Sequence, residues 1–359
     1  MDIDKLQPLW YEKDVSIPAH VFLVRKAAED LAKNLDFNPS KISDIVLCVS
    51  ELAQNHIDHD TNKGMMRLFG QRITPKQALF VACSLDKGPG IKPSYFYLTD
   101  ENHYEHKGLG AGLNTARRLA DGFALCSGRL GDSPCPDLLM GKNEYETLIA
   151  ASFTQPKDLF NHMPVELSFL IRPAGANHYS GDGFFFVYEH PYILMVLMDA
   201  LGKGQEAAEI IVSAKKLLSL LPAETEPTDT LMALGHHLIG SRGIMAQVVR
   251  LNVDKAEVRV AVAGNVNHFL FLDGKETLIS GKKGLIGPVN SKNNFISLRY
   301  NGFRQAMGIL YTDGVGYIPP IKFQQVLIDI PSIIWTNYLF PICHRRCDDA
   351  ALVVWKWKS

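Results

Sequence analysis

The chain has 359 residues, of which 47% are apolar and 21% are charged, so it is long enough for two domains that each bury a core. Its 37 Lys and Arg residues balance 38 Asp and Glu residues, which excludes the basic field typical of proteins that bind nucleic acid or an anionic membrane. No apolar signal sequence opens the chain, the longest apolar stretches are too short to cross a bilayer, and the six cysteines lack paired spacing. These features predict a cytoplasmic protein without membrane insertion.

The first part of the chain alternates helical and strand-like patterns. Apolar periodicity predicts helices at 19–34, 41–58 and 109–121, and strands at 65–71, 78–85 and 145–153. Residues 128–143 are rich in Gly, Pro and Asp and predict a loop. A break at 155–164 then ends a first domain, predicted to cover residues 1–155.

The second part is richer in strands. Strands are predicted at 166–171, 183–188, 192–198, 245–253, 257–263, 268–272, 295–298, 306–311 and 350–355, with helices at 205–221 and 231–239. This part predicts a second domain over residues 164–359. The fold class expected for the whole chain is therefore α+β with two domains.

Two polar residues share one face of the predicted helix 41–58. Glu51 and Asn55 are four positions apart, which places them on the same side of the helix. A carboxylate beside a carboxamide can orient a water or a hydroxyl group and complete the oxygen shell of Mg²⁺. A solvated polar face is the alternative explanation for this pair.

A turn with two glycines follows the predicted strand 78–85. Asp86 ends the strand and can accept a hydrogen bond from an exocyclic amine, while Gly88 and Gly90 would let the backbone approach a flat base closely. Taken alone, this turn could equally be an ordinary one.

A second glycine-rich segment precedes the predicted helix 109–121. Gly108, Gly110 and Gly112 would form an anion-binding backbone at the start of that helix. The segment lacks the GxxxxGK[ST] pattern of a P-loop and the βαβ context of a Rossmann turn.

In this order and spacing, the three motifs resemble the ATP-binding domain of the GHKL superfamily. Within it, the text DKGPGIKP…KGLGAGLNTARRLADGF resembles the RsbT/RsbW-type anti-sigma-factor serine kinases. The resemblance implies an N-terminal GHKL (Bergerat) α/β sandwich that binds ATP with Mg²⁺, with residues 92–107 as its lid. It implies Glu51 as general base toward a protein Ser or Thr, Asn55 as Mg²⁺ ligand and Asp86 as adenine contact. The glycines that would line the nucleotide are Gly88, Gly90, Gly108, Gly110 and Gly112. Thr147 is the candidate for the threonine with which the family closes its site.

Acidic residues recur at strand ends in the second domain. They are Asp182, Asp199, Asp313 and Asp348, the last followed by Asp349. Converging carboxylates without cationic partners repel one another, and divalent cations are what usually neutralise such a cluster. Two metal ions can share a hydroxide and align it on a phosphorus atom. Taken singly, each Asp-Gly pair is more simply explained as a hairpin turn.

Residues 164–357 resemble the RsbX/SpoIIE branch of the PPM-type serine/threonine phosphatases. The matching text includes SGD at 180–182, DALGKG at 199–204, TDG at 312–314 and DD at 348–349. The resemblance implies a PPM-type β-sandwich flanked by helices. It also implies that two Mn²⁺ or Mg²⁺ ions are bound by Asp182, Asp199, Asp313, Asp348 and the backbone carbonyl of Ala200. Lys203 is given no catalytic role.

Together the two resemblances predict a bifunctional regulator of a bacterial partner-switching (stress or sigma-factor) pathway. The first domain would phosphorylate a Ser or Thr on a STAS-domain protein, and the second would remove that phosphate. The alternative is a phosphatase whose N-terminal half is a nucleotide-dependent protein-binding or sensor module. No nucleic-acid partner is expected, and the oligomeric state is left open.

Overall fold

The chain divides into two compact units. The computed structural model describes residues 4–59, 61, 64–74, 76–88, 90–91, 111–127, 147–157, 160, 162–175, 177–281, 284–287, 295–316, 318, 330–343 and 347–357. The N-terminal unit comprises Leu9–Asn161 with Asp329–Tyr338, and the C-terminal unit comprises Met1–Pro8, His162–Ile328 and Leu339–Ser359. The predicted loop at 128–143 and the predicted lid at 92–107 lie outside the described residues.

The N-terminal unit has a layer of helices on an antiparallel sheet. Its helices are α1 (Pro18–Asn34), α2 (Pro39–Asp58) and α3 (Ala111–Leu119). Its strands are β1 (Leu9–Val15), β2 (Gly64–Thr74), β3 (Gln77–Asp86), β4 (Gly122–Ser127) and β5 (Thr147–Gln155). The sheet order is β1-β2-β3-β5-β4, with antiparallel pairing throughout. This is the α/β layering that the sequence predicts.

Local signals explain where the main helices lie. Pro39 occupies the first turn of α2, and the Asn38 side chain accepts a hydrogen bond from the Lys41 backbone N–H at 2.9 Å, a typical N-cap. The buried residues of α2 follow helical spacing and pack with alternate residues of β2, such as Met66 and Leu68. Burial of these two complementary patterns stabilises the layer.

The C-terminal unit contains two antiparallel sheets. Its strands are β6 (Val165–Arg172), β7 (Asp182–Glu189), β8 (Tyr192–Ala200), β9 (Ile244–Asn252), β10 (Glu257–Ala263), β11 (Asn267–Leu272), β12 (Lys275–Ser280), β13 (Ile296–Asn301), β14 (Ala306–Tyr311) and β15 (Ala350–Trp357). One sheet has the order β13-β10-β9-β8-β7 and the other β12-β11-β14-β15-β6. Helices α4 (Gln205–Leu218) and α5 (Pro227–His237) connect β8 to β9.

The two sheets face each other as a sandwich. Phe169 on β6 and Phe184 on β7 approach to 5.1 Å between ring centroids, and Gln247 on β9 bonds to His268 on β11 at 3.2 Å. The neighbouring residue Phe185 points to the opposite side, where it joins the core beneath α4 and α5. The predicted β-sandwich flanked by helices is therefore confirmed.

Several elements differ from the prediction. Strands β1, β4 and β12 were not expected. Helix α5 begins at Pro227, four residues before its predicted start at 231, because proline is well suited to the first helical turn. A further helix, α6 (Ser332–Cys343), was not predicted either. Cys126 is disulfide-bonded. The spacing of the cysteines is therefore not an argument for the cytoplasmic location that the sequence predicts. Among the helices of the described residues, none is both long and apolar enough to cross a membrane.

Candidate metal centre and nucleotide site

Two predicted metal ligands lie side by side at one end of the sandwich. Asp182 begins β7 and is paired directly with Asp199 near the end of β8. Burial and then the charge of Asp199 raise the pKa of Asp182 well above its usual value. Burial, followed by the charges of Asp313, Asp348 and Asp349, raises the pKa of Asp199 to about 7. The pairing thus concentrates negative charge at a site with little water.

The other two predicted ligands lie at turns beside this pair. Asp313 begins a short 3-10 turn two residues after the end of β14, and the Asn265 side-chain amide donates to its Oδ2 at 3.1 Å. Asp348 precedes β15, and its Oδ1 is 2.8 Å from the Lys203 Nζ. The charges of both residues act on Asp199, so the four predicted aspartates lie within electrostatic range of one another at this end of the sandwich.

Asp349 is a member of this cluster that the sequence did not single out. It is 5% exposed, and it accepts backbone hydrogen bonds from Ala174 at 2.7 Å and from Gly181 at 2.9 Å. These bonds fasten the chain after β6 and the turn before β7 to the start of β15. In the sequence, Asp349 is marked only by its position next to Asp348. Adjacent residues of an extended segment point to opposite sides, so the sequence offers no reason to expect both at one site.

Ala200 lies where the prediction needs a backbone ligand. It is the last residue of β8, so its backbone is extended, and alanine adopts that conformation as readily as other residues do. Its N–H donates to the Gly181 carbonyl at 2.8 Å. The backbone around Ala200 is therefore fixed to the same turn that Asp349 holds.

The chemistry of this cluster fits divalent cations. Its five carboxylates are coupled, and hard oxygen donors with excess negative charge are what Mg²⁺ and Mn²⁺ prefer. Protein donors hold the carboxylates: the Thr312 hydroxyl donates to Asp182 Oδ2 at 2.6 Å, in addition to the contacts of Asn265 and Lys203. Within the described ranges, no three His, Cys, Asp or Glu side chains already converge as a ligand set.

In the N-terminal unit, α2 and α3 bring part of the predicted nucleotide site together. A Cβ built on Gly112 would lie 2.5 Å from Glu51 Oε2 and 3.7 Å from Asn55 Oδ1. A larger residue at position 112 would require the Glu51 carboxylate to move, so the glycine leaves room for its present position. Glu51, Asn55 and Gly112 are therefore neighbours, although Gly108 and Gly110 lie outside the described residues.

The predicted adenine contact lies at the adjacent strand ends. Asp86 ends β3 and pairs with Thr147, the first residue of β5, which in turn pairs with Ser127 of β4. The hydroxyl oxygens of Ser127 and Thr147 are 3.3 Å apart. The Gly88 N–H donates to Asp86 Oδ1 at 2.7 Å, and Gly90 has a φ of +84°. Thr147, the candidate closing threonine, is thus next to Asp86 in the sheet.

His56 follows Asn55 but is held in a structural role. Its Nε2 lies 3.0 Å from the Ser84 Oγ, and its Nδ1 lies 2.9 Å from the Thr61 Oγ1. Burial lowers the pKa of His56 to about 4, so the ring is neutral at pH 7 and joins α2 to the sheet by hydrogen bonds.

Comparison with known proteins gives structural similarities only. No protein-family model matches the chain, and no curated protein does. RsbX in complex with magnesium is 19% identical over 54% of this chain and 94% of its own, with a TM-score of 0.47. A protein of the bacterial stressosome is 18% identical over 53% and 98%, with a TM-score of 0.48. The PP2C phosphatase domain of SpoIIE from Bacillus subtilis, with a fragment of its regulatory domain, is 12% identical over 79% and 80%, with a TM-score of 0.43. These identities and TM-scores are too low to assign the chain to a family.

Proposed function

We propose that the C-terminal unit is a metal-dependent phosphatase acting on phosphoserine and phosphothreonine in proteins. The observation on which this rests is the cluster at the end of the sandwich, where buried Asp182 is paired with half-buried Asp199 and both lie within electrostatic range of further aspartates. Like charges so arranged destabilise the fold unless cations neutralise them. Such a cluster is more easily explained by function than by stability.

Two Mn²⁺ or Mg²⁺ ions would be held by Asp182, Asp199, Asp313, Asp348 and the Ala200 carbonyl. When bound, such ions supply a hydroxide at neutral pH and polarise the phosphoryl group.

Surrounding residues of this chain keep the ligands oriented. The Thr312 hydroxyl fixes one oxygen of Asp182, and the Asn265 amide fixes one oxygen of Asp313. Asp349 holds the turn before β7 in place through the Gly181 N–H. Such supporting hydrogen bonds orient ligands and raise metal affinity.

Removal of metal tests this function directly. In the presence of Mn²⁺, the full chain is expected to release phosphate from phosphoserine and phosphothreonine peptides, and excess EDTA is expected to reduce release to background, because metal supplies the nucleophile. The measurement is inorganic phosphate released per minute, with Mn²⁺ added back as the control. Hydrolysis that continues undiminished in EDTA would contradict the proposal.

The natural substrate proposed is a STAS-domain protein of a partner-switching pathway in the bacterial cytoplasm. This assignment rests on the resemblance of residues 164–357 to the RsbX/SpoIIE branch. A phosphorylated STAS protein should therefore be a better substrate than a short phosphopeptide of the same local sequence.

For the N-terminal half, residues 1–155, we propose a GHKL-type ATP site with protein serine/threonine kinase activity as the second function. The approach of Gly112 to Glu51 and Asn55, and the pairing of Asp86 with Thr147, support a nucleotide bound with Mg²⁺. Glu51 also borders a cleft of about 350 Å³ between α1 and α2, so a side chain from a partner could reach its carboxylate.

Loss of the proposed general base should abolish phosphate transfer. Both proteins carry Asp313→Asn, which is expected to prevent dephosphorylation. The protein that retains Glu51 is expected to transfer labelled phosphate from γ-labelled ATP to a STAS protein. Glu51→Ala is expected to reduce transfer at least about a hundredfold, the usual contribution of a general base. The measurement is labelled STAS protein per minute, with Glu29→Ala on the surface of α1 as the control.

The alternative, a nucleotide-dependent binding or sensor module, has a different signature. Under it, neither protein labels the STAS partner, yet ATP changes complex formation or the phosphatase rate. That result would overturn the kinase proposal and leave the phosphatase unaffected.

A further inference from the structure

A short loop places a lysine against the carboxylate cluster. The loop joins β8 to α4, and its Gly202 and Gly204 have φ values of +109° and +76°, a region in which glycine is strongly favoured. Between them, Lys203 places its Nζ 2.8 Å from Asp348 Oδ1 and donates to the Cys347 carbonyl at 2.6 Å. The ammonium group thus contacts two oxygens at the edge of the proposed metal centre.

Fold stability gives little reason for this contact. The Lys203 and Asp348 side chains are 49% and 35% exposed, and ion pairs with such access to water contribute little to folding. Arg242, which approaches the same loop at Gly202, is paired with Glu206 instead. Lys203, in contrast, forms its ion pair with a carboxylate of the cluster.

We propose that Lys203 is a displaceable counter-ion that competes with a divalent cation for Asp348. The inference rests on the proposed phosphatase function. The ammonium group occupies a carboxylate oxygen that the metal would use, and its positive charge repels an incoming cation. A second metal ion must therefore displace Lys203 before it binds at Asp348. The lysine thus lowers the metal affinity at Asp348, while the ion at the Asp182 and Asp199 pair binds more tightly.

Removal of the lysine charge should tighten metal binding. We expect Lys203→Met to lower the dissociation constant of the weaker Mn²⁺ ion at least about tenfold, as expected when a neighbouring positive charge is removed. Lys203→Arg, which retains the charge, should stay within about threefold of wild type. The measurement is calorimetric titration of the metal-free full chain with MnCl₂ in the absence of ATP, supported by free Mn²⁺ from electron paramagnetic resonance.

Lys216 provides a matched control. It is exposed on α4 and makes no ion pair within the part of the chain that the structure describes, so Lys216→Met changes the total charge equally without touching Asp348. Its Mn²⁺ affinities should equal those of wild type. Equal tightening by Lys216→Met and Lys203→Met would overturn the proposal, because the effect would then be one of overall charge.

The outcomes separate this inference from the function on which it rests. Two Mn²⁺ ions that bind wild type and Lys203→Met with the same affinities, together with Mn²⁺-dependent phosphatase activity, would reject only the role of Lys203. Absence of Mn²⁺ binding to both proteins would reject the metal centre itself, and the lysine inference with it.

Discussion

Asp199→Asn is expected to reduce Mn²⁺-dependent phosphatase activity at least about a thousandfold, because loss of a proposed metal ligand would remove several kcal/mol of transition-state stabilisation. The same change should leave the metal-free protein at least as stable as wild type. Asp199 is half-buried beside Asp182, and its ionisation is opposed by three further carboxylates, so a neutral amide relieves repulsion. Loss of activity without loss of stability is the signature expected of a ligand.

The experiment compares phosphate release and thermal unfolding of the same protein preparations. Asp182→Asn should lose activity to a similar extent, but it also replaces the carboxyl group that accepts the hydrogen bond of the buried Thr312 hydroxyl, so it should be less stable than Asp199→Asn. Asp254→Asn, on an exposed turn opposite His190, is the control and should retain full activity. An Asp199→Asn protein that hydrolyses phosphopeptides at the wild-type rate would contradict the assignment of the site.

Amphipathic elements could be predicted from sequence because their signal is local. Helices α1 and α2 were predicted within about two residues of their observed ends, since Pro18, Pro39 and Asn38 mark the starts and boundary errors of this size are ordinary. The strands of the sandwich were found for the same reason. Their apolar runs are long and are separated by turn residues.

Helix α6 could not be predicted in this way. Its apolar residues surround the helix, and Ile334, Trp335, Leu339 and Phe340 are all nearly inaccessible to water. A helix buried on all sides has no polar face and therefore no 3.6-residue periodicity. Strand β1 was not predicted because it has too little apolar pattern. Its sequence LWYEKDV mixes charged and aromatic residues, and most of it is only partly buried.

The candidate sites depend on contacts that no local pattern contains. Asp86 and Thr147 meet because β3 and β5 are neighbours in the sheet, and the order of strands is a property of the whole unit. The sequence assigns no role to Asp349 or Lys203, because their contacts depend on the register of β15 and on the loop after β8. The sequence motifs therefore indicated the chemistry, while the supporting residues required three-dimensional neighbours.

A glycine beside the metal centre provides the second large effect. Gly314 is buried and directly follows Asp313, and a Cβ at this position would overlap the Asp349 carbonyl oxygen and lie 2.8 Å from its carbonyl carbon. Backbone atoms cannot rotate away as a flexible side chain can, so Gly314→Ala must separate the Asp313 turn from the start of β15. We expect the C-terminal unit to lose about 3 kcal/mol or more of unfolding free energy, the upper range for overpacking. Phosphatase activity should fall with it, because Asp313 and Asp348 would no longer be held together.

Gly274→Ala distinguishes this steric effect from the cost of replacing any glycine. Gly274 has a φ of +80°, but no atom lies within 4 Å of a Cβ built there, so only the backbone conformation opposes alanine, at about 1 kcal/mol. Hydrogen exchange of the β14 and β15 amides measures both losses within the C-terminal unit, independently of the N-terminal one. Equal stability and equal activity of the two variants would contradict this prediction. The two acidic turns would then not depend on the close approach of Gly314 to Asp349.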